Sequence, residues 1–317
     1  MKKILALMLA LMMAMSAMAF ATAENGKPYI GILAPTNTHG WVGGVAYYAQ
    51  LTADALDIKY EFLTSSDAEE MSSQIEQLIT MGVDAIVVWP QFEGVETAAE
   101  KALENGIIIS NFDMIIKVDE KYADKMYLLT GDNFGMGYEG ARYIDEKLGG
   151  KGKIVVLCKP SAGNVNDDRM AGFYAYLEEN ATDLEIIAEI SSDFNREQGL
   201  ADMTDALTAY DEIDAVFSLD DETSIGALQA IIEANRSDVK AITGGGGCQE
   251  YFQMMLDETY ANIWVSSATY SPSMIVKCIE NAVAVLNGEA IENTIVDPTV
   301  IVDRDNVADF IDANTPY

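Results

Sequence analysis

The sequence predicts an α/β protein of two doubly wound, Rossmann-like lobes, each built on a parallel sheet. Three observations carry this. Short apolar, β-rich runs alternate with longer segments of helical spacing. The strand runs are apolar throughout, the mark of strands buried on both faces of a sheet. The pattern also occurs twice. G-V-D-A-I-V-V at 82–88 resembles E-I-D-A-V-F-S at 212–218, which sets Asp84 and Asp214 130 residues apart. Each copy follows a helix and leads through an acidic turn and another helix into a second strand, N-G-I-I-I-S-N-F-D in one and D-V-K-A-I-T-G-G in the other.

The strand runs are Tyr29–Ala34, Tyr60–Leu63, Ala85–Trp89, Ile107–Ser110, Met126–Thr130, Ile154–Cys158, Leu184–Ile190, Ala215–Leu219, Val239–Thr243 and Ile263–Ser267. Between them, Met71-Ile75-Leu78-Ile79 and Ile225-Leu228-Ile231-Ile232 have the spacing of one helix face. Ser66 or Asp67 supplies the N-cap of the first.

Residues 1–23 read as a secretory leader. Two lysines precede a Leu/Met/Ala-rich stretch, and A-x-A sites end at Ala19 and Ala23, the second being the expected cut. The apolar part is short for a membrane span. No cysteine adjoins the cut for lipid attachment, so a periplasmic or secreted location is expected. Losing Lys2 and Lys3 takes the formal charge from −32 to −34. Such an acidic surface excludes nucleic acid, whose phosphates require a basic one, and suits a soluble exported chain. Cys158, Cys248 and Cys278 form no metal spacing, and three cysteines cannot form a complete disulfide set. Cys158 and Cys278 lie in apolar runs and read as core.

Ligands of open parallel sheets bind beyond the carboxyl ends of the strands. The segments there are rich in Asp, Asn and aromatic residues, with few basic groups. Carboxylates and amides bond hydroxyls, and flat rings stack on C–H faces, so the composition suits a neutral polyhydroxyl ligand.

Catalytic and cofactor chemistry finds little support. His39 is the only histidine, which leaves no Ser/His/Asp or Cys/His set and no histidine metal site. Asp220-Asp221-Glu222 reads as a helix N-terminus before a carboxylate metal cluster. Gly244 to Gly247 fails the dinucleotide fingerprint, because Gln249 or Glu250 stands where its last glycine belongs. The run reads instead as a mobile turn or a close approach of backbone to ligand. No metal and no cofactor is expected.

In order along the chain, Y-I-G-I-L-A-P-T, G-V-D-A-I-V-V-W-P, N-G-I-I-I-S-N-F-D, G-D-N-F-G-M-G, G-G-K-G-K-I-V-V-L, D-R-M-A-G-F, D-F-N-R-E-Q-G-L, D-A-V-F-S-L-D-D-E-T-S-I-G-A-L and V-L-N-G-E give a specific resemblance. The chain resembles the periplasmic sugar-binding proteins of the ribose- and galactose-binding type, the solute receptors of ABC importers. The resemblance implies a type I periplasmic binding fold hinged by three crossovers. One lobe would hold 24–131 and about 271–295, the other 132–270 and about 296–317. It implies a monomer that closes on a sugar or sugar alcohol and delivers it to membrane permease subunits.

It also implies site residues. Asp113 matches a carboxylate that grips hydroxyls, with Asn166 and Asp220 as further hydroxyl contacts. Phe194 matches an aromatic on the ring, and Trp41 falls where a stacking aromatic stands. His39 and Trp89 fall at polar contacts. Asp167 stands where the family often has an arginine, and Tyr270 where it has a glutamine. Met114 and Gly245 are further departures, in place of an arginine and an aspartate. Arg169 reads as a helix anchor before a ligand contact. Missing arginines and added acids leave a cationic ligand as an alternative, held by cation–π contact. An exported carbohydrate-active enzyme is a more distant one. His39 stays open between a contact at the cleft and a structural role.

Overall fold

The computed structural model describes residues 26–36 and 40–317. The leader and His39 lie outside the described residues. From β1 (Tyr29–Pro35) the chain builds β2 (Lys59–Ser65), β3 (Ala85–Val88), β4 (Ile108–Phe112) and β5 (Met126–Gly131) in a first sheet. It then builds β6 (Lys151–Cys158), β7 (Asp183–Ser191), β8 (Ala215–Ser218), β9 (Ala241–Ile242) and β10 (Trp264–Ala268) in a second. β11 (Thr294–Asp297) returns to the first sheet and β12 (Ile301–Asp303) to the second. The orders are β11-β5-β4-β3-β1-β2 and β12-β10-β9-β8-β6-β7. Every pairing among them is parallel except β12 on β10. Among the described residues the chain therefore passes between the two α/β lobes three times.

Nine helices cover the sheets among the described residues: α1 (Gly40–Ala55), α2 (Ala68–Met81), α3 (Glu96–Glu104), α4 (Asn133–Leu148), α5 (Asn164–Asn180), α6 (Arg196–Ala209), α7 (Asp221–Glu233), α8 (Gln249–Leu256) and α9 (Met274–Leu286). None of the described helices is long and apolar enough to cross a membrane. Asp67 is the N-cap of α2, its carboxylate accepting the Glu70 N–H at 2.9 Å, while Ser66 bonds the Glu70 side chain. All ten apolar runs hold a strand. β11 and β12 escaped the sequence reading because their apolar runs, Ile295-Val296 and Val300 to Val302, are too short to stand out.

The internal repeat has a physical basis. Asp84 accepts the backbone N–H of Tyr29 at 2.8 Å, and Asp214 accepts that of Lys153 at 2.7 Å. Each carboxylate ties the strand it precedes to the start of the neighbouring one, β3 to β1 and β8 to β6.

The second lobe brings helices together through glycine. A Cβ on Gly137 would sit 1.8 Å from the Arg169 carbonyl oxygen, and one on Gly172 would sit 2.0 Å from that of Phe134. Gly199 and Gly226 do the same between α6 and α7, at 2.3 Å from Thr223 O and 2.1 Å from Arg196 O. Both pairs touch backbone, which cannot swing aside as a side chain can. Gly172→Ala is therefore expected to lower stability by about 1–3 kcal/mol or more, read as a lower urea midpoint. An unchanged midpoint would mean that α4 and α5 separate freely.

Candidate functional site

The carboxyl ends of both sheets face each other across a cavity of about 630 Å³, open mouth included. The first lobe supplies Trp41 from the first turn of α1, Trp89 and Gln91 after β3, and Asp113 and Met114 after β4. The second supplies Lys159, Ser161, Ala162, Val165, Arg169, Phe194, Asp220, Gly245 and Gly246. Tyr270, on the crossover after β10, completes the lining. The lobes meet beside the mouth, where Ile115 N–H reaches Asn164 Oδ1 at 3.4 Å.

Asp113 is the centre of the polar wall. It takes a left-handed backbone, φ 64°, and its N–H donates to Leu129 O at 2.9 Å. Asn111 shapes the turn beyond it, donating to Met114 O at 2.7 Å and accepting Ile116 N–H at 2.8 Å. The buried carboxylate accepts Trp89 Nε1–H at 3.0 Å on one oxygen and the Tyr270 hydroxyl on the other. Burial holds its pKa above the usual carboxylate range, opposed by the Tyr270 hydrogen bond, the nearby Arg169 charge and Trp89. Burial and the Asp113 charge raise the Tyr270 phenol in turn.

Arg169 is buried and locked. Nε donates to Asn133 Oδ1 at 2.9 Å and an end nitrogen to Leu219 O at 2.7 Å, and the guanidinium lies 4.8 Å from the Tyr270 ring centre. Trp41 donates to Tyr270 O at 2.7 Å, stacks on Phe112 at 6.0 Å and meets Trp89 edge-on at 5.1 Å. Its indole N–H is thus already used, and the ring is what remains for a ligand. Phe194, half-buried, faces it from the other lobe with Lys159 Nζ 4.8 Å from its centre. Lys159 also pairs with Asp193.

Asp220 has two tasks. It caps α7, accepting Thr223 N–H at 3.0 Å, and it lines the cavity. Asp221 holds the glycine turn behind it. One oxygen accepts from Gly247 N–H and Cys248 N–H, both at 2.8 Å, and from Ser267 Oγ at 2.9 Å. The turn is therefore a tethered cavity wall: Gly245 and Gly246 line the site while the next two residues are held by Asp221. Burial, reinforced by neighbouring acids, pushes Asp220 up to about 6 and Asp221 up to about 7.

Trp41, Trp89, Asp113, Phe194, Asp220 and Tyr270 thus come together in one cavity. Asn166 and Asp167 do not join them. Asn166 Oδ1 accepts Lys159 N–H at 2.9 Å, its amide donates to Asp167, and the Asp167 side chain is exposed. Their positions on the first turn of α5 point them at the preceding loop and at solvent. Arg169, one turn further on, lines the cavity, the role its sequence position ranked second. Lys159 and Gln91 were also missed. No motif marks Gln91, and the only sequence signal for Lys159 is its place just after β6. The cavity is consequently not poor in cations. Cys158, Cys248 and Cys278 are all buried and unpaired. Among the described residues, no group of three or more His, Cys, Asp or Glu could hold a metal ion.

Two α/β lobes with a cleft between facing strand ends define a protein that encloses a small molecule. The chain belongs to the periplasmic binding protein domain family, whose model matches residues 30–290. It is 28% identical to a ribose import binding protein of Bacillus subtilis, over 74% of this chain and 73% of that one. It is 29% identical to a putative rhizopine-binding protein of Rhizobium meliloti, over 84% and 86%. Among solved structures, an ABC transporter periplasmic solute binding protein from Actinobacillus succinogenes with bound D-allose superposes with a TM-score of 0.79 at 26% identity, covering 89% of this chain and 100% of that one.

The acids behind the cavity predict a pH dependence. An unfolded carboxyl titrates near 4, about 3.9 for Asp, while Asp220 and Asp221 titrate at about 6 and about 7 when folded. The folded state holds these protons longer, so their contribution is complete below the unfolded pKa and is lost as pH rises through 6 to 7. Calorimetry of the ligand-free protein should show a lower melting temperature at pH 8 than at pH 5. Asp221→Asn should reduce that difference; an equal difference in the variant would remove Asp221 as its source.

Proposed function

We propose that the protein is the extracytoplasmic receptor of an ABC importer and that it holds a neutral sugar or sugar alcohol between its lobes. One observation carries the reading. A buried carboxylate, Asp113, is fixed between Trp89 and Tyr270 in a cavity walled by the Trp41 and Phe194 rings. Asp113 then offers its remaining acceptor capacity to hydroxyls, and the rings offer flat apolar faces to ring carbons. The sugar-import names of the relatives agree with this. Arg169 and Lys159 in the same wall oppose the cationic alternative, because a bound cation would meet two positive side chains there. The lobes would close over the ligand, and the closed protein would pass it to the permease subunits in the membrane. The chain would act as a monomer and as a binder, not an enzyme.

A thermal-shift screen over aldoses, polyols and quaternary amines tests the ligand class. A neutral carbohydrate should raise the melting temperature, with a stabilisation of about 2.7 kcal/mol at a hundredfold excess over Kd. A response to amines alone would overturn the reading. For the carbohydrate that binds, Asp113→Ala should weaken calorimetric affinity by about tenfold or more, since hydrogen bonds to a charged group contribute about 1.5–3 kcal/mol each. Undiminished affinity would move the ligand elsewhere.

A further inference from the structure

After β12 the chain runs back across the gap between the lobes. Gln249, at the start of α8, fixes this segment to the second lobe. Its amide donates to Phe310 O at 3.1 Å, and its Oε1 accepts Asp312 N–H at 2.8 Å. Further along, the Tyr48 hydroxyl of α1 donates to Thr315 Oγ1 at 2.9 Å, which ties the segment to the first lobe. Tyr317 then lies buried, at 6% exposure.

Three glycines make the slot it occupies. A Cβ on Gly40 would lie 3.1 Å from Tyr317 Cδ2, one on Gly44 would lie 3.3 Å from its Cβ, and one on Gly246 would lie 3.0 Å from its hydroxyl oxygen. Gly40 and Gly44 belong to α1, and Gly40 directly precedes the cavity residue Trp41. Gly246 belongs to the opposite lobe and itself lines the cavity, at φ 141°. One ring therefore touches both walls of the cleft. Its hydroxyl has no hydrogen-bond partner, so the ring's bulk fills the slot and its polarity adds nothing.

We propose that Tyr317 is a positioning residue for the ligand site, a wedge between α1 and the glycine turn that favours the closed arrangement of the lobes and fixes the Gly245–Gly246 wall. The effect on affinity rests on the reading of the cavity as the ligand site. Apparent affinity scales with the fraction of protein in the binding-competent state, so a residue that favours closure strengthens binding without touching the ligand.

The test uses two readings on the full chain, wild type beside Tyr317→Phe and Tyr317→Ala. The first is small-angle X-ray scattering of the ligand-free protein. Tyr317→Ala should have the larger radius of gyration, and Tyr317→Phe should match wild type. The second is stopped-flow and calorimetric binding of D-allose and D-ribose. For whichever sugar binds, Tyr317→Ala should lower affinity about tenfold, mostly through faster release, as a tenfold smaller closed population requires. Tyr317→Phe should restore both values. Equal radii for Tyr317→Ala and wild type would overturn the wedge, as would an alanine variant that opens while phenylalanine fails to rescue it. If neither sugar binds wild type, the sugar reading fails for these two and the scattering alone decides the wedge. Should Tyr317→Ala not fold, Tyr48→Phe, which cuts the tie to Thr315, is judged by the same readings: opening supports the strap and none refutes it.

Discussion

A carboxylate buried between two lobes is costly unless donors surround it, and Asp113 organises this site on that condition. Trp89 from the first lobe and Tyr270 from a crossover are its donors, with Arg169 of the second lobe as a nearby charge. Each donor is fixed in turn. Tyr270 O holds Trp41, and Asn133 and Leu219 hold Arg169. The acid, the aromatic wall and the crossover form one connected network. A change at any member leaves a buried group partly unpaired, which is how such a site keeps its geometry.

The second lobe solves a different problem. Its wall is a run of glycines, which has no side chains to hold it in place. Asp221 supplies the restraint by accepting from two successive N–H groups at the end of the run, those of Gly247 and Cys248, and from Ser267. The cost is a second buried acid beside Asp220, and burial holds both above the usual carboxylate range. One wall of the cavity is thus built by donors gathered around an acid, and the other by an acid gathering donors.

The two lobes share an origin in pattern and differ in how they close around a ligand. Asp84 and Asp214 make the same bond in each sheet. The helices of the second lobe meet through paired glycines, which makes a close and stiff body. The bodies are joined by three passes of chain, by the Asp113–Tyr270–Arg169 network, by the contact of Ile115 with Asn164, and by the segment that holds Tyr317. A change at any of these shifts the balance of open and closed forms, because each spans both bodies.

The sequence by itself determined the two sheets, their helices and half of the repeat's meaning. These depend on local apolar runs and on the covering of parallel strands, both visible in residue order. It also placed Asp113, Trp41 and Phe194 in the segments beyond strand ends, and the family resemblance added Tyr270. Tertiary structure alone decided the rest. Asn166 and Arg169 lie on one helix, yet the turn of α5 sends one to a loop and the other into the cavity. Neither composition nor spacing fixes that rotation, because it depends on how α5 packs on α4 through Gly137 and Gly172. Lys159 carries no signal in the sequence beyond its place after a strand, and only the loop after β6 turns it over Phe194. The slot for Tyr317 joins residues 40, 44, 246 and 317, and only the closing of one lobe on the other brings such distant positions together.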